Sequence, residues 1–139
     1  MMNWLKGQKT VTLKFYSLEE IAELLRDEGY RKVEMTDFFG TEMVRVSIDG
    51  RKILIGQEDN GDLQLMEILT GVPNSSEAMN EINVNVRGLK AHQNELLTFL
   101  SITLFVVEGY GISKEHILQM LKTFLGCCGA AGRILIKYA

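Results

Sequence analysis

The spacing of apolar residues changes period several times along this chain, and each change marks an element. Leu18, Ile21, Leu24 and Leu25 recur at helical spacing behind Ser17 and Glu20, which form a Ser-x-x-Glu capping box, and Gly29 supplies a left-handed stop. A helix over 18–28 is predicted. The period then becomes two. Segments 32–37, 43–48, 52–57 and 62–69 read as strands, with Asp49-Gly50 and Asn60-Gly61 as tight hairpin turns. Val44, Val46 and Ile48 point one way and Arg45 and Ser47 the other, the alternation of an antiparallel sheet with one wet face.

Helical spacing returns over 75–86, where Asn74 and Glu77 offer a capping pair, Met79, Ile82 and Val86 align, and Gly88 ends the run. Two more strands are predicted at 89–93 and 96–107, then a helix over 113–125 with the stripe Ile117, Leu118, Leu121, Phe124 and Leu125. Gly126, Gly129 and Gly132 read as a helix stop or as points of close backbone approach. At the termini, Val11, Leu13 and Phe15 alternate with Thr12 and Lys14, while Ile134, Ile136 and Tyr138 bracket Leu135 and Lys137. Extensions 9–16 and 133–138 are therefore candidate terminal strands, able to pair with each other. The expected architecture is α+β, an antiparallel sheet flanked by three helices in the order α-ββββ-α-ββ-α. It forms one domain over 1–139 with its core at about 17–125.

Segment 96–107 shapes the functional reading, because as a strand it is apolar on both faces. One face presents Leu96, Leu100, Ile102, Leu104 and Val106 with Thr98; the other presents Leu97, Phe99, Phe105 and Val107 beside Ser101 and Thr103. An aromatic side chain alone buries about 150–250 Å², so a soluble chain does not leave such a patch in water. Either the terminal strands and a helix cover the second face, or another subunit does. Leu97, Phe99, Phe105 and Val107 are the candidate protein interface, with a homodimer as the expected assembly.

Bulk composition narrows the alternatives. The 139 residues suffice for a core without metal or disulfide support, and 46% hydrophobic with 24% charged residues is ordinary for a globular domain. A net charge of −3 gives no basic field for nucleic acid. The apolar run at 96–107 is too short to span a bilayer as a helix, and Met1-Met2-Asn3-Trp4-Leu5-Lys6 lacks the layout of a secretory signal. Adjacent Cys127 and Cys128 do not favour a mutual disulfide, so the expected location is cytoplasmic.

Catalytic patterns are missing. His92 and His116 are the only histidines, with no His-x-x-x-His and no Cys-x-x-Cys. Cys127 and Cys128 read as small residues at a helix end rather than as a thiol nucleophile. Glu58, Asp59 and Asp62 flank a turn without the register of a calcium loop, and the glycine triplet lacks the context of a nucleotide cradle. Neither a metal nor a cofactor is expected. Asn80 and Asn83 lie one turn apart on a helix, placed to satisfy free backbone groups of a neighbouring strand.

Taken in order, these segments resemble the YbjN family, described as putative bacterial sensory-transduction regulators. The likeness covers about 17–125: Leu18-Glu19-Glu20-Ile21, Leu24-Leu25, Gly29-Tyr30, Asp62-Leu63-Gln64-Leu65, Asn80-Glu81-Ile82-Asn83 with Arg87, and Gly111-Ile112-Ser113 before the last helix. That family usually carries Trp where this chain has Ile82, and the Gly-Cys-Cys-Gly-Ala-Ala-Gly segment falls outside its pattern. The resemblance implies a fold similar to type III secretion chaperones, and a non-enzymatic, often dimeric protein that regulates or stabilises others. The other reading is a small-ligand sensor with a pocket between the sheet and the last helix.

Overall fold

The computed structural model describes residues 11–139. The order is β1 (Leu13–Lys14), α1 (Leu18–Asp27), β2 (Val33–Phe38), β3 (Thr41–Ile48), β4 (Arg51–Gln57) and β5 (Leu63–Thr70). It continues with α2 (Ser76–Asn85), β6 (Lys90–Asn94), β7 (Leu97–Leu104), β8 (Ile112–Ser113) and α3 (Lys114–Lys137). The fold is α+β, with three helices and the central order expected. Strands β2 to β7 make one antiparallel six-stranded sheet ordered β2-β3-β4-β5-β7-β6, so β7 lies beside β5 and β6 forms an edge.

Local chemistry explains the boundaries. The Ser17–Glu20 capping box is formed in both directions, each bond 3.1 Å long. Asp49 and Gly50 both adopt positive φ, which matches the turn to the twist of β3 and β4. Asn60-Gly61 departs from that expectation. Only Gly61 is left-handed, and the wider turn closes through Glu58 N–H donating to the Asp62 carbonyl at 2.8 Å. Phe39-Gly40, unremarked in the sequence, makes the β2–β3 turn with both residues at positive φ, helped by Gly40 N–H donating to Asp37 Oδ1 at 2.7 Å. Helix α2 is capped by Ser75, whose Oγ accepts from Ala78 N–H at 3.0 Å, rather than by Asn74.

Three expectations are corrected. Helix α3 does not stop at 125; it runs 24 residues, straight through Gly126, Gly129 and Gly132. The candidate strand at 133–138 is therefore the end of that helix, and Cys127 and Cys128 lie inside it. The reason is a continuous apolar stripe. Ile117, Leu121, Phe124, Cys128 and Ala131 are all buried at helical intervals, so the glycines lie within an already committed amphipathic helix. At the N-terminus, β1 pairs with β8, Leu13 opposite Ser113 and Lys14 opposite Ile112; residues 9 and 10 of that extension lie outside the described residues. Finally, β7 spans only Leu97–Leu104, so Leu96 is an exposed turn residue and Phe105, Val106 and Val107 lie beyond the strand.

The core lies on one side of the sheet. Val33, Val44, Val46, Ile53, Ile55, Leu63, Leu65, Leu100, Ile102 and Leu104 point toward Ile21 and Leu25 of α1, Met79 and Ile82 of α2, and the α3 stripe. Helix α1 covers β2 to β4, α2 lies on β6, and α3 crosses β5 and β7. The result is two layers, one sheet and one set of helices, with the other side of the sheet bare among the described residues.

Candidate functional site

The bare side is assembled by register. Arg45 sits opposite Leu54, Leu54 opposite Met66, Met66 opposite Ser101, and Ser101 opposite Lys90. One step along the strands, Ile68 faces Phe99 and Phe99 faces His92; a further step brings Leu97 opposite Thr70. Met43, Leu54, Met66, Ile68, Phe99 and Leu97 thus form an apolar band across four strands, β3, β4, β5 and β7. None of them belongs to the helix-covered core. Met43, Leu54 and Ser101 are buried by their own neighbours, while Met66, Ile68, Leu97 and Phe99 stay partly open. His92 stacks flat on Phe99, with ring centroids 4.7 Å apart and an angle of 8° between the rings.

Of the four proposed interface residues, the structure keeps Leu97 and Phe99 on this face and separates the other two. Phe105 is 74% exposed and Val107 52%, both in the segment that turns back through the Val107–Gly111 bridge. Phe105 instead borders a groove of about 360 Å³ with Phe15, Asn60, Asp62 and Glu108. Sequence reasoning missed Met43, Leu54, Met66 and Ile68. Their signal was present as apolar residues of both parities in Ile53-Leu54-Ile55, Leu65-Met66 and Ile68-Leu69.

Charge on the bare side is uneven. At the end of the sheet where β2 begins and β3 turns into β4, Arg31, Lys32, Arg45 and Lys52 line two adjoining grooves of about 590 and 410 Å³; Asp49 and Glu34 are the acids there. Glu34 is paired with Arg45, which holds its carboxyl below the usual range. At the opposite end Asp37 and Glu42, paired at the close of β2 and β3, follow Met35 and Val44 onto the helix-covered side; Glu58, Asp59 and Asp62 occupy the β4–β5 turn, where Asp62 Oδ1 accepts from Val106 N–H at 2.9 Å.

The Asn80-Glu81-Asn83 motif works structurally. The Asn83 carboxamide donates to the Ala91 carbonyl at 2.9 Å and accepts from the Ala91 N–H at 2.8 Å, occupying the outward backbone groups of Ala91 on edge strand β6. Asn80 is exposed, and its side chain has no hydrogen-bond partner among the described residues. Glu81 ties α2 to the end of α3, accepting from Lys137 Nζ at 2.6 Å and from the Tyr138 hydroxyl at 2.7 Å. Those two donors, Lys137 first, hold its carboxyl below the usual range. The far edge, β2, differs. Lys32 carbonyl bonds Ser47 N–H, so by alternation Val33, Met35 and Asp37 turn their backbone groups outward, and Arg26 occupies only the Val33 carbonyl, at 3.0 Å.

A second polar feature lies under α3. Glu67 is 4% exposed on the helix-covered side of β5, and Arg51 Nη1 donates to it at 2.9 Å. Burial, and next the Glu67 carboxylate, push the Cys128 thiol well above its ordinary range, which makes it a poor nucleophile. Arg51, Glu67, Leu69, Cys128 and Gly132 line a groove of about 480 Å³ between the sheet and the last helix. Among the described residues, no three His, Cys, Asp or Glu side chains converge as a metal site, and no helix is long and apolar enough to cross a membrane.

No protein-family model and no curated protein sequence matches the chain. Its fold is similar to that in a crystal structure of an uncharacterized protein from Methanothermobacter thermautotrophicus, with a TM-score of 0.60 and 14% identity. The match covers 88% of this chain and 99% of that one, and at such low identity it shows a shared fold.

Proposed function

We propose that this is a non-enzymatic protein-interaction module, a chaperone-like or regulatory protein of the YbjN type that acts in the cytoplasm as a homodimer through its bare sheet face. The observation that carries this reading is the partly open set Met66, Ile68, Phe99 and Leu97, continued by the buried Met43 and Leu54, which none of the three helices covers. A two-layer fold with apolar residues on the unlayered side gains free energy by burying them against a second surface. The resemblance of 17–125 to the YbjN family points the same way. The test is solution mass by light scattering. Wild type is expected at twice the chain mass, and Phe99→Glu or Met66→Glu at the single-chain mass with unchanged circular dichroism. A folded variant that keeps the wild-type mass refutes the surface.

A second reading rests on the groove between the sheet and the last helix, where buried Glu67, paired with the half-buried Arg51, and Cys128 line one wall. Such a groove suits a small polar ligand. A thermal-shift screen in which some compound raises the midpoint of wild type, but not of Gly132→Leu, supports this reading; no shift across the panel counts against it.

A further inference from the structure

We propose that the bare face takes, in exchange for a second copy, one amphipathic helix of a partner protein whose apolar stripe is flanked by carboxylates. This rests on the reading that the bare face is a protein-interaction surface. Register decides which charges stand there. The strands carry Arg45, Lys52 and Lys90 on this side, joined by Lys32, whose carbonyl accepts from Ser47 N–H just before β2 begins. Glu34 is the one carboxylate of those strands on this side, and it is already paired with Arg45. Lys32, Lys52 and Lys90 are exposed, and none of them pairs with a carboxylate among the described residues. A second copy laid on this face brings three more such cations into the same contact, whichever two-fold axis relates the copies. Carboxylates on the incoming surface turn that repulsion into attraction. Self-association is then the weaker resting state, which the acidic helix displaces.

Shape selects a helix. The partly open Met66, Ile68, Phe99 and Leu97 lie on β5 and β7, between Lys52 on β4 and Lys90 with His92 on β6. Strands β4 and β6 are three spacings apart, about 14 Å, and an α-helix with its side chains is about 10–12 Å wide. From the row of Met43 and Gly56 to that of Leu97 the strip runs three two-residue steps, about 20 Å, the length of roughly 13 helical residues. The strip is also recessed. Met43 and Leu54 are buried while Lys52, Lys90 and His92 stand exposed. A groove of about 270 Å³ lies over Leu54 and Ile68, walled by Phe38, Arg45 and Lys52, with Asp37 the one acid on its border. A sunken apolar strip between raised cations accepts a convex element, whereas a flat lipid surface is entered by apolar groups that protrude.

The probe is a synthetic amphipathic helix of about four turns, with leucines on one stripe and glutamates on both flanks; its control carries lysines in place of the glutamates. In fluorescence anisotropy the acidic helix is expected to bind wild type at least about tenfold more tightly than the control, and native mass spectrometry to show one chain with one helix in place of the dimer. Lys52→Gln/Lys90→Gln changes two exposed side chains, so it is expected to fold as wild type does by circular dichroism and to lose most of that preference. Salt separates the two contacts. Raising sodium chloride from about 0.05 to about 0.5 M is expected to weaken binding of the acidic helix and to tighten self-association, because screening removes attraction from one and repulsion from the other. Equal binding of the two helices, a preference that survives in Lys52→Gln/Lys90→Gln, or acidic-helix binding that Phe99→Glu leaves unchanged overturns the proposal. So does a wild type that sediments with phosphatidylserine vesicles and ignores the helix, which assigns the face to a lipid surface. If Phe99→Glu breaks the dimer but neither helix binds, the occupant is wrong and the homodimer surface stands. If wild type is monomeric and still binds the acidic helix through Phe99, the occupant stands and the homodimer reading falls.

Discussion

Replacing the three α3 glycines by alanine is expected to stabilise the protein, and the size of the gain follows from the structure. Gly126, Gly129 and Gly132 lie inside a continuous 24-residue helix. A Cβ built on Gly126 or Gly132 meets no atom within 4 Å, and on Gly129 it meets only Arg133 Nη1 at 3.8 Å. With no steric penalty to offset it, the alanine gain is the full helical preference, about 0.5–1 kcal/mol per site. The triple variant should therefore gain about 1.5–3 kcal/mol, which for a chain of this length raises Tm by roughly 5–10 °C. Urea denaturation at fixed protein concentration is the assay, with the midpoint rising and the slope unchanged. Gly132→Ala is measured separately, because that position also lines the groove beside Cys128. A loss of stability in any single variant would refute the reasoning. It would mean that the glycine is needed for a left-handed stop or a close backbone contact.

Three other outcomes follow from particular contacts. Asn83→Ala strips both bonds from the Ala91 backbone and should cost about 1–2 kcal/mol in urea denaturation, while Asn80→Ala should stay within about 0.5 kcal/mol; equal effects would contradict the edge-clamp role. Gly111→Ala places a Cβ 2.1 Å from the Lys14 carbonyl oxygen at a φ of +96°, so β1 must leave β8. Fast hydrogen exchange of the β1 amides and a lower Tm are expected. Glu81 has a depressed folded pKa, so its contribution is present above the usual carboxylate range and is lost as pH falls through the folded value. Protection factors at the end of α3, taken relative to the intrinsic exchange rate at each pH, should fall in that acid window, and Glu81→Gln should remove that fall.

Most of the fold was legible because period and turn chemistry agree along most of the chain. Val44, Val46 and Ile48 alternate as a half-buried strand must, and Ser17 with Glu20 announces α1 without reference to the rest of the molecule. The misreadings have physical causes. Glycine marks helix ends through backbone entropy, a penalty of about 1 kcal/mol that a long buried stripe easily outweighs. The intervals between Ile117, Leu121, Phe124, Cys128 and Ala131 carried that stripe past Gly126 in plain view. Ile134, Ile136 and Tyr138 imitate a strand only when Leu135 is ignored; Ile134, Leu135 and Tyr138 are the half-buried set that a helix produces. Phe39 at positive φ was illegible because a bulky residue rarely accepts that conformation. On the candidate surface, strand parity located Leu97 and Phe99 correctly. Phe105 and Val107 were lost when β7 ended earlier than the run of apolar residues suggested. The remainder of the band lies on strands whose alternation, as in Arg45 and Ser47, predicts a wet outer side.

The two borders of the sheet are unequal, and that inequality limits what the protein can build. An incoming strand at β6 must displace a carboxamide already bonded to Ala91, whereas at β2 it finds the Met35 and Asp37 peptide groups without a partner among the described residues. A fibre grown by adding strands needs two receptive borders on every subunit, and this one offers a single receptive border. Accidental lateral joining therefore terminates after one junction, which lets the domain keep a greasy flank without the hazard of endless propagation.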